Sequence, residues 1–311
     1  MSAVHVSVVV ASHRPDYIEE TLRTVRTSSA ASGLDVQIII VADYDTTRFQ
    51  DRGVDWYFHD DRSISAKRNI GVEKAEAPVV AFVDDDCRVD ENWISTGYRY
   101  LRENPLVAAV EGKTTVDIPP DAPGMIREYK RLEKPGYRTN NIFYRKDVFD
   151  SVGGFDTRFT VQREDLDLAF TLLSRGESIA YCEEIKVIHR FRKNEWWDLL
   201  KNGVNRRFDP LLFSKHPEMY RENVRTPIPR GIFVLLIFHF MVAFNSGTVL
   251  FFPVLFVDVL FSVLLGLRRS GAGLAGMKRF FPELLCVVTA PLVFFFSLLY
   301  GSIKFRKLLI I

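Results

Sequence analysis

From Gly231 to Leu267 the chain reads GIFVLLIFHFMVAFNSGTVLFFPVLFVDVLFSVLLGL, 37 residues in which Asp258 is the one full charge. A helix needs about 20 apolar residues to cross a bilayer's hydrocarbon core, so this run has the length of a helical hairpin. Asn245-Ser246-Gly247 would supply the turn. Soluble cores seldom hold so long an apolar stretch. Arg225 and Arg230 precede it, and Arg268, Arg269, Lys278 and Arg279 follow. By the positive-inside tendency both ends of the hairpin are expected in the cytoplasm. A further apolar segment, Leu284 to Ile303, has Pro291 at its middle and ends in Lys304, Arg306 and Lys307. A single crossing would leave that basic cluster on the wrong side, so a re-entrant or interfacial helix pair stands beside a third span. Residues 231–311 are therefore expected to form a membrane domain of two or three apolar helical segments.

The part before Arg230 is different, because short apolar runs alternate there with charged, helix-like stretches, the pattern of an α/β domain with a largely parallel sheet. Val6 to Ala11, Val36 to Val41, Trp56 to His59 and Val79 to Val83 read as strands, whereas Tyr17 to Thr27, Ser63 to Glu73 and Glu91 to Arg102 read as helices. The proline-rich Ile118 to Pro123 reads as a loop. A net charge of +2 gives no global reason to expect a nucleic-acid partner. Three cysteines, Cys87, Cys182 and Cys286, fit no disulfide framework or metal spacing. The apolar run at Val4 to Ala11 has no basic flank and no small-residue cleavage site, so it is expected to be a strand and not a signal peptide.

Asp84-Asp85-Asp86 directly follows the buried strand Val79 to Val83. Ligands bind at the carboxyl ends of strands in open α/β sheets, and three adjacent carboxylates repel one another unless a cation or solvent intervenes. Mg2+ or Mn2+ would suit them, since hard ions take carboxylate oxygens and complete their shell with substrate phosphates. Elsewhere such a triplet is merely a solvated acidic turn; its place after a buried strand favours the metal.

With SAKRNIG before it and a helix after it, this acidic motif resembles the inverting glycosyltransferases of family 2 with the GT-A fold. The resemblance covers about Val4 to His189 and rests on five ordered motifs. It implies a GT-A nucleotide-sugar-binding domain over residues 1–189, with a mostly parallel central sheet, followed by C-terminal transmembrane or interfacial helices. In VVVASHRPDYIEETLRTV, it implies that Ser12, His13 and Arg14 lie at the nucleotide. In IIIVADYDTT it implies that Asp43 accepts from the N–H edge of a uracil or guanine ring; Asp45 is read as a cap or loop residue. On the helix SAKRNIG, Lys67, Arg68 and Asn69 would face the donor's diphosphate and sugar, with Arg68 on the diphosphate. Asp84 and Asp85 belong to the same donor site, and Asp86, with Asp84 and His189, would hold the metal. In TNNIFYRKDVFDSVGGFDTRFTVQREDLDLAFTLLSRG, Asp165 would be the catalytic base and Glu164 its partner.

Between these halves, residues 190–230 carry ten basic and five acidic residues together with Trp196 and Trp197. Aromatic rings beside Lys and Arg suit a lipid headgroup region, so this segment is expected on the bilayer surface. Arg206, Arg207 and Trp196 are candidates for contact with a polyprenyl-phosphate or glycolipid acceptor. The expected function is metal-dependent, inverting transfer of one sugar from a UDP- or GDP-sugar at the cytosolic membrane face, in cell-surface polysaccharide or glycolipid synthesis. The alternative is a non-catalytic membrane protein that binds nucleotide-sugar or lipid-linked sugar as an assembly factor.

Overall fold

The computed structural model describes residues 4–49, 53–119, 130–191, 195–224, 226–271 and 273–309. The expected loop at Ile118 to Pro123 lies from Pro120 onward outside the described residues, as do the basic residues Arg192, Lys193 and Arg225. The chain divides into two compact units, one holding the described residues up to Phe191 and the other those from Glu195 onward.

In the first unit, eight strands form one sheet: β1 (Val6–Ser12), β2 (Val36–Ala42), β3 (Asp55–Phe58), β4 (Val79–Val83), β5 (Cys87–Val89), β6 (Val107–Asp117), β7 (Asn141–Arg145) and β8 (Ser178–Arg190), in the order β3-β2-β1-β4-β7-β6-β8-β5. Pairings among β1 to β4 are parallel, and β6 also pairs β8 in parallel. β7 runs antiparallel to β4 and β6, and β5 to β8, so the expected mostly parallel sheet is a mixed one. β1 is apolar almost throughout because helices cover both its faces, and the pleat divides its side chains by turns. Val8 and Val10 join one core with Ile38, Ile40, Trp93 and Ile94, while Val9 joins the other with Ile39, Val41, Phe82 and Leu168.

The helices of this unit are α1 (Ile18–Ser32), α2 (Ile64–Glu73), α3 (Trp93–Glu103), α4 (Lys146–Ser151) and α5 (Glu164–Ser174). Ser63 caps α2 by accepting from the Ala66 N–H. Register sets the functional edge: Ser12 lies beside Ala42, and Val9 beside Phe82, so β1, β2 and β4 end together. Asp43 and Asp84 follow those ends directly. Antiparallel β7 begins at the same edge, with Asn141 opposite Val83.

The second unit is helical. Three short helices, α6 (Asp198–Asn205), α7 (Asp209–Lys215) and α8 (Pro217–Asn223), precede α9 (Arg230–Phe244), α10 (Phe251–Ser270) and α11 (Gly273–Lys304). α9 and α10 form the expected hairpin; Gly231 lies on Leu265, and His239 Nδ1 is 3.1 Å from Asp258. α10 and α11 are long and apolar enough to cross a membrane. At 15 residues, α9 rises about 22 Å, less than a hydrocarbon core of about 30 Å. The third apolar segment starts earlier than its composition suggests. α11 takes in Lys278 and Arg279 and continues through Pro282 and Pro291, which apolar helices tolerate when neighbouring helices support the freed carbonyls. Buried Glu283 accounts for the early start, because it accepts from Arg269 on α10 and Arg279 on its own helix.

Candidate active site

The three carboxylates after β4 share two arginines. Asp85 turns inward and accepts from the backbone N–H groups of His13 (2.7 Å) and Arg14 (2.9 Å), the Ser12 hydroxyl (3.2 Å) and Arg14 Nη1 (2.8 Å). It thereby fastens the loop after β1. Burial raises its pKa, and the Arg14 charge and the His13 N–H only partly oppose that. Asp86 takes a second contact from Arg14 Nη1, 3.0 Å from Oδ2, and turns Oδ1 toward His189 Nε2 at 3.5 Å. The more exposed Asp84 accepts from Arg68 Nη2 at 3.0 Å.

At the end of β2, Asp43 is held by Lys67 Nζ (3.1 Å) and His13 Nδ1 (2.9 Å), and Lys67 also donates to the Ser12 carbonyl. Burial pushes the Asp43 carboxyl up, but these two partners outweigh it and leave its pKa below the ordinary value. Lys67 is itself nearly buried, which lowers its pKa despite Asp43. The Ser12 hydroxyl lies 2.7 Å from the Tyr44 hydroxyl. Asp45 accepts from the Thr47 N–H, a loop role as expected.

All three donor-facing residues expected on α2 are turned to other uses in this structure, Lys67 to Asp43 and the Ser12 carbonyl. Asn69 clamps Phe155, donating to its carbonyl and accepting from its N–H, so its amide is spent on the turn before α5. Gly154 in that turn has φ +71°, and an added Cβ would lie 2.8 Å from Asn69 Oδ1, so both conformation and space call for glycine. Arg68 is 3% exposed and donates Nη1 to Glu164 Oε1 at 2.8 Å while Nη2 reaches Asp84. A single guanidinium therefore joins the acidic motif to the start of α5. An expected diphosphate contact is in this structure a bridge between carboxylates.

α5 opens on Arg163 at φ +80°, a left-handed conformation unusual outside glycine. Glu164 Oε2 is buried with no hydrogen-bond partner among the described residues. Burial and the neighbouring Asp165 charge push the Glu164 pKa up to about 7, against the pull of Arg68. Burial also raises Asp165, against its own Leu166 N–H and the Arg68 charge. Two adjacent carboxylates in this setting titrate as a pair that retains one proton well above the usual carboxylate range.

Asp86, Cys87 and His189 offer ligand atoms within 4.8 Å of one another. The His189 Nδ1 lies 2.9 Å from the Arg190 carbonyl, which can only accept, so in the neutral ring Nδ1 carries the proton and the Nε2 lone pair faces Asp86. Two electron-rich atoms facing each other suit a cation between them. The Cys87 thiol is pushed well up by burial and the nearby aspartates, so it stays protonated and adds little for a hard ion. Of the expected ligand set, Asp86 and His189 are brought together, whereas Asp84 lies outside that cluster and is engaged by Arg68.

Residues 7–161 match the family described as Glycosyl transferase family 2. The chain carries a family 2 glycosyltransferase domain. This glycosyltransferase is 26% identical over 246 residues to the glucosyl-dolichyl phosphate glucuronosyltransferase of Haloferax volcanii, covering 68% of this chain and 79% of that one. It is 29% identical over 140 residues to the O-antigen chain rhamnosyltransferase RfbN of Salmonella typhimurium, covering 39% of this chain and 44% of that one. A crystal structure of GalNAc-T7 with UDP, GalNAc and Mn2+ aligns at a TM-score of 0.47 and 15% identity, over 61% of this chain and 44% of that one.

Two residues near the candidate site carry no motif. Glu111, buried in β6, accepts from the N–H groups of Gly136, Tyr137 and Arg138 and so shapes the turn leading into β7. Tyr144 on β7 buries its hydroxyl within the electrostatic reach of Asp165, Glu111 and Arg68. A charged residue inside the apolar run VAAVEG was a signal for the first, since a buried carboxylate needs donors; nothing in the sequence marks the second. Arg206, Arg207 and Trp196 belong to the second unit. There Arg206 lies 3.7 Å from buried Asp209, Arg207 stacks over Phe208, and Trp196 packs on Trp197.

Proposed function

We propose that this glycosyltransferase moves one sugar, with inversion, from a UDP- or GDP-sugar to a hydroxyl or lipid-linked acceptor at the cytosolic face of a membrane. The observation that carries this reading is the Arg68 bridge. It holds Asp84 and Glu164 on one guanidinium, at 3.0 and 2.8 Å, and so brings the donor-side acids close to the acceptor-side pair. Inversion needs that proximity, because the acceptor oxygen must lose its proton while attacking opposite the departing diphosphate.

Asp165 is the base in this reading. It is less buried than Glu164, and Glu164, poised near neutrality by its burial and by Asp165, limits the charge the pair carries. As the bond from the anomeric carbon to the diphosphate breaks and the bond to the acceptor oxygen forms, the acceptor proton passes to an Asp165 carboxylate oxygen. Asp43, fixed by Lys67 and His13, would accept from the nucleotide base; Arg14, held by Asp85 and Asp86 through Nη1 and 31% exposed, would offer the rest of its guanidinium to the phosphates. Mg2+ or Mn2+ held by Asp86 and His189 would neutralise the leaving nucleoside diphosphate. The acceptor is drawn as lipid-linked because the Haloferax relative's name specifies glucosyl-dolichyl phosphate and because this chain has apolar helices preceded by a basic, Trp-containing segment. Arg206, Arg207 and Trp196 are the residues of that segment assigned to the acceptor or its lipid surroundings.

Asp165→Asn tests the assignment. Transfer should fall by roughly 10²–10⁴-fold, the range for losing a general base, with nucleotide-sugar affinity unchanged by calorimetry. Ordinary turnover in that variant would remove Asp165 from the mechanism.

A further inference from the structure

Helix α11 is long and apolar enough that by composition alone it is a membrane span. Its contacts say otherwise. Near its start it lies beside the end of α10, where Glu283 meets Arg269 at 2.9 Å and Leu284 packs on Gly266. It then meets α9 at neighbouring residues: His239 Nε2 lies 3.1 Å from the Val288 carbonyl, and Phe240 packs on Phe295 with ring centroids 5.5 Å apart. Seven residues of α11, about 10 Å of rise, thus converge on two consecutive residues of α9. Asp258, Ser262, Gly266 and Ser270, one turn apart, form the buried face of α10, and Gly266 meets Leu284, so α11 first runs beside α10 and then leans across α9.

From Cys286 onward, where Leu200 and Asp198 of α6 lie beside it, α11 is also paired with the polar segment that precedes the hairpin. Gly203 of α6 packs against Phe294, where an added Cβ would be 2.9 Å from the ring. Gly301 packs on the Arg207 carbonyl so closely that a side chain would collide with it. Past the helix end, Lys307 lies over the Phe213 ring of α7 at 5.7 Å, and Leu309 is buried. The second half of α11 therefore shares its depth with Asp198, Lys201, Arg206, Arg207 and Asp209. Lys201 is 66% exposed at its side chain. Hydrocarbon is a poor home for such charges, and a span would carry them with it.

The geometry points to an in-plane placement. α11 enters with the hairpin, crosses α9 and emerges at the face of the membrane that carries α6 and α7, so that Lys304, Arg306 and Lys307 join Lys201, Arg206 and Arg207 in one basic surface on anionic headgroups. This removes the conflict that a third crossing creates, since the terminal basic cluster then lies on the same side as the basic residues before the hairpin. The two prolines fit a helix that must bend out of the hairpin's direction. The inference rests on the membrane attachment proposed above and extends it: the chain leaves and re-enters one face.

Sealed vesicles of a single orientation, containing the full-length protein as Glu218→Cys or Arg306→Cys, would be treated with a membrane-impermeant maleimide. Both positions are exposed, while Cys87, Cys182 and Cys286 are buried, so the unmodified chain gives the background. Both variants should react from the same side, to within about twofold. Reaction from opposite sides would overturn the in-plane helix and leave membrane attachment standing. Release of the chain by alkaline carbonate would instead overturn the attachment itself, and the in-plane placement with it.

Discussion

Asp43 and Glu164 are both nearly buried carboxylates of the first unit, with side chains 4% and 7% exposed. Asp43 has a lysine and a histidine within 3.1 Å, and its pKa lies below the ordinary value. Glu164 has half a guanidinium and a second carboxylate next door, and its pKa climbs to about 7. Glu164 lies deeper in the protein and has fewer cations than Asp43, so desolvation prevails at Glu164 and the cations prevail at Asp43. In the proposed reaction that division is functional. The donor end must stay charged to bind a base and a diphosphate, whereas the acceptor end must be able to take up a proton at neutral pH.

Arg68 stands between the two regimes, so its loss should break the comparison most. Removing one partner from a buried, hydrogen-bonded ion pair costs about 3–5 kcal/mol, and Arg68→Met strips two carboxylates at once. The melting temperature should drop. The direction of the pH effect follows from the signs: Arg68 lowers the pKa of both Glu164 and Asp165, so without it both rise. The acidic limb of kcat/KM should move to higher pH in the variant. A limb that stays in place would show that the pair is not what titrates. Stability carries the opposite sign. A Glu164 pKa raised from 4.5 to about 7 contributes stability that is fully present below about 4.5 and is lost as pH rises through about 7. Denaturation at pH 5 and pH 8 reads that difference, and it should shrink in Glu164→Gln.

How much of this contrast was legible beforehand depends on the distance over which each feature is encoded. The strands β1, β2 and β4 could be read almost to the residue, because a strand buried on both faces must be apolar throughout and its neighbours must turn polar where it ends. The acidic motif and the Glu164-Asp165 pair were visible for the same local reason. What lay hidden was partnership. Nothing between residues 68 and 164 announces that Arg68 would be shared by Asp84 and Glu164, or that Asn69 would be consumed by Phe155, since those contacts exist only once α2 and α5 pack on the sheet. The inverted β7 and the early start of α11 depend likewise on distant partners, Val83 for one and Arg269 for the other. The family match ends at residue 161, so the acidic pair rests on its geometry and on the motif around it.

Asp43→Asn sharpens the comparison from the other side. Asparagine keeps the shape but not the charge, leaving Lys67 buried beside a neutral amide. A hydrogen bond to a charged group is worth about 1.5–3 kcal/mol, so nucleotide affinity should fall roughly 10- to 100-fold. Turnover at saturating donor should change little, because Asp43 lies away from the reacting atoms in the proposed mechanism. A loss confined to kcat would contradict the division of labour between the two carboxylates.

The smallest effect should come from His13→Ala. His13 is 47% exposed, so its contact with Asp43 is screened by water, and an exposed pair contributes at most about 1 kcal/mol. Asp43 also keeps Lys67, whose Nζ is buried and fixed a second time by the Ser12 carbonyl. The Asp43 pKa should therefore rise slightly but remain in the carboxylate range, and donor affinity should fall about fivefold or less. The backbone N–H of His13, which anchors the loop to Asp85, is unaffected by the substitution. A loss as large as that of Asp43→Asn would mean that the imidazole itself touches the nucleotide, moving the recognition of the base from the carboxylate at the end of β2 to the loop after β1.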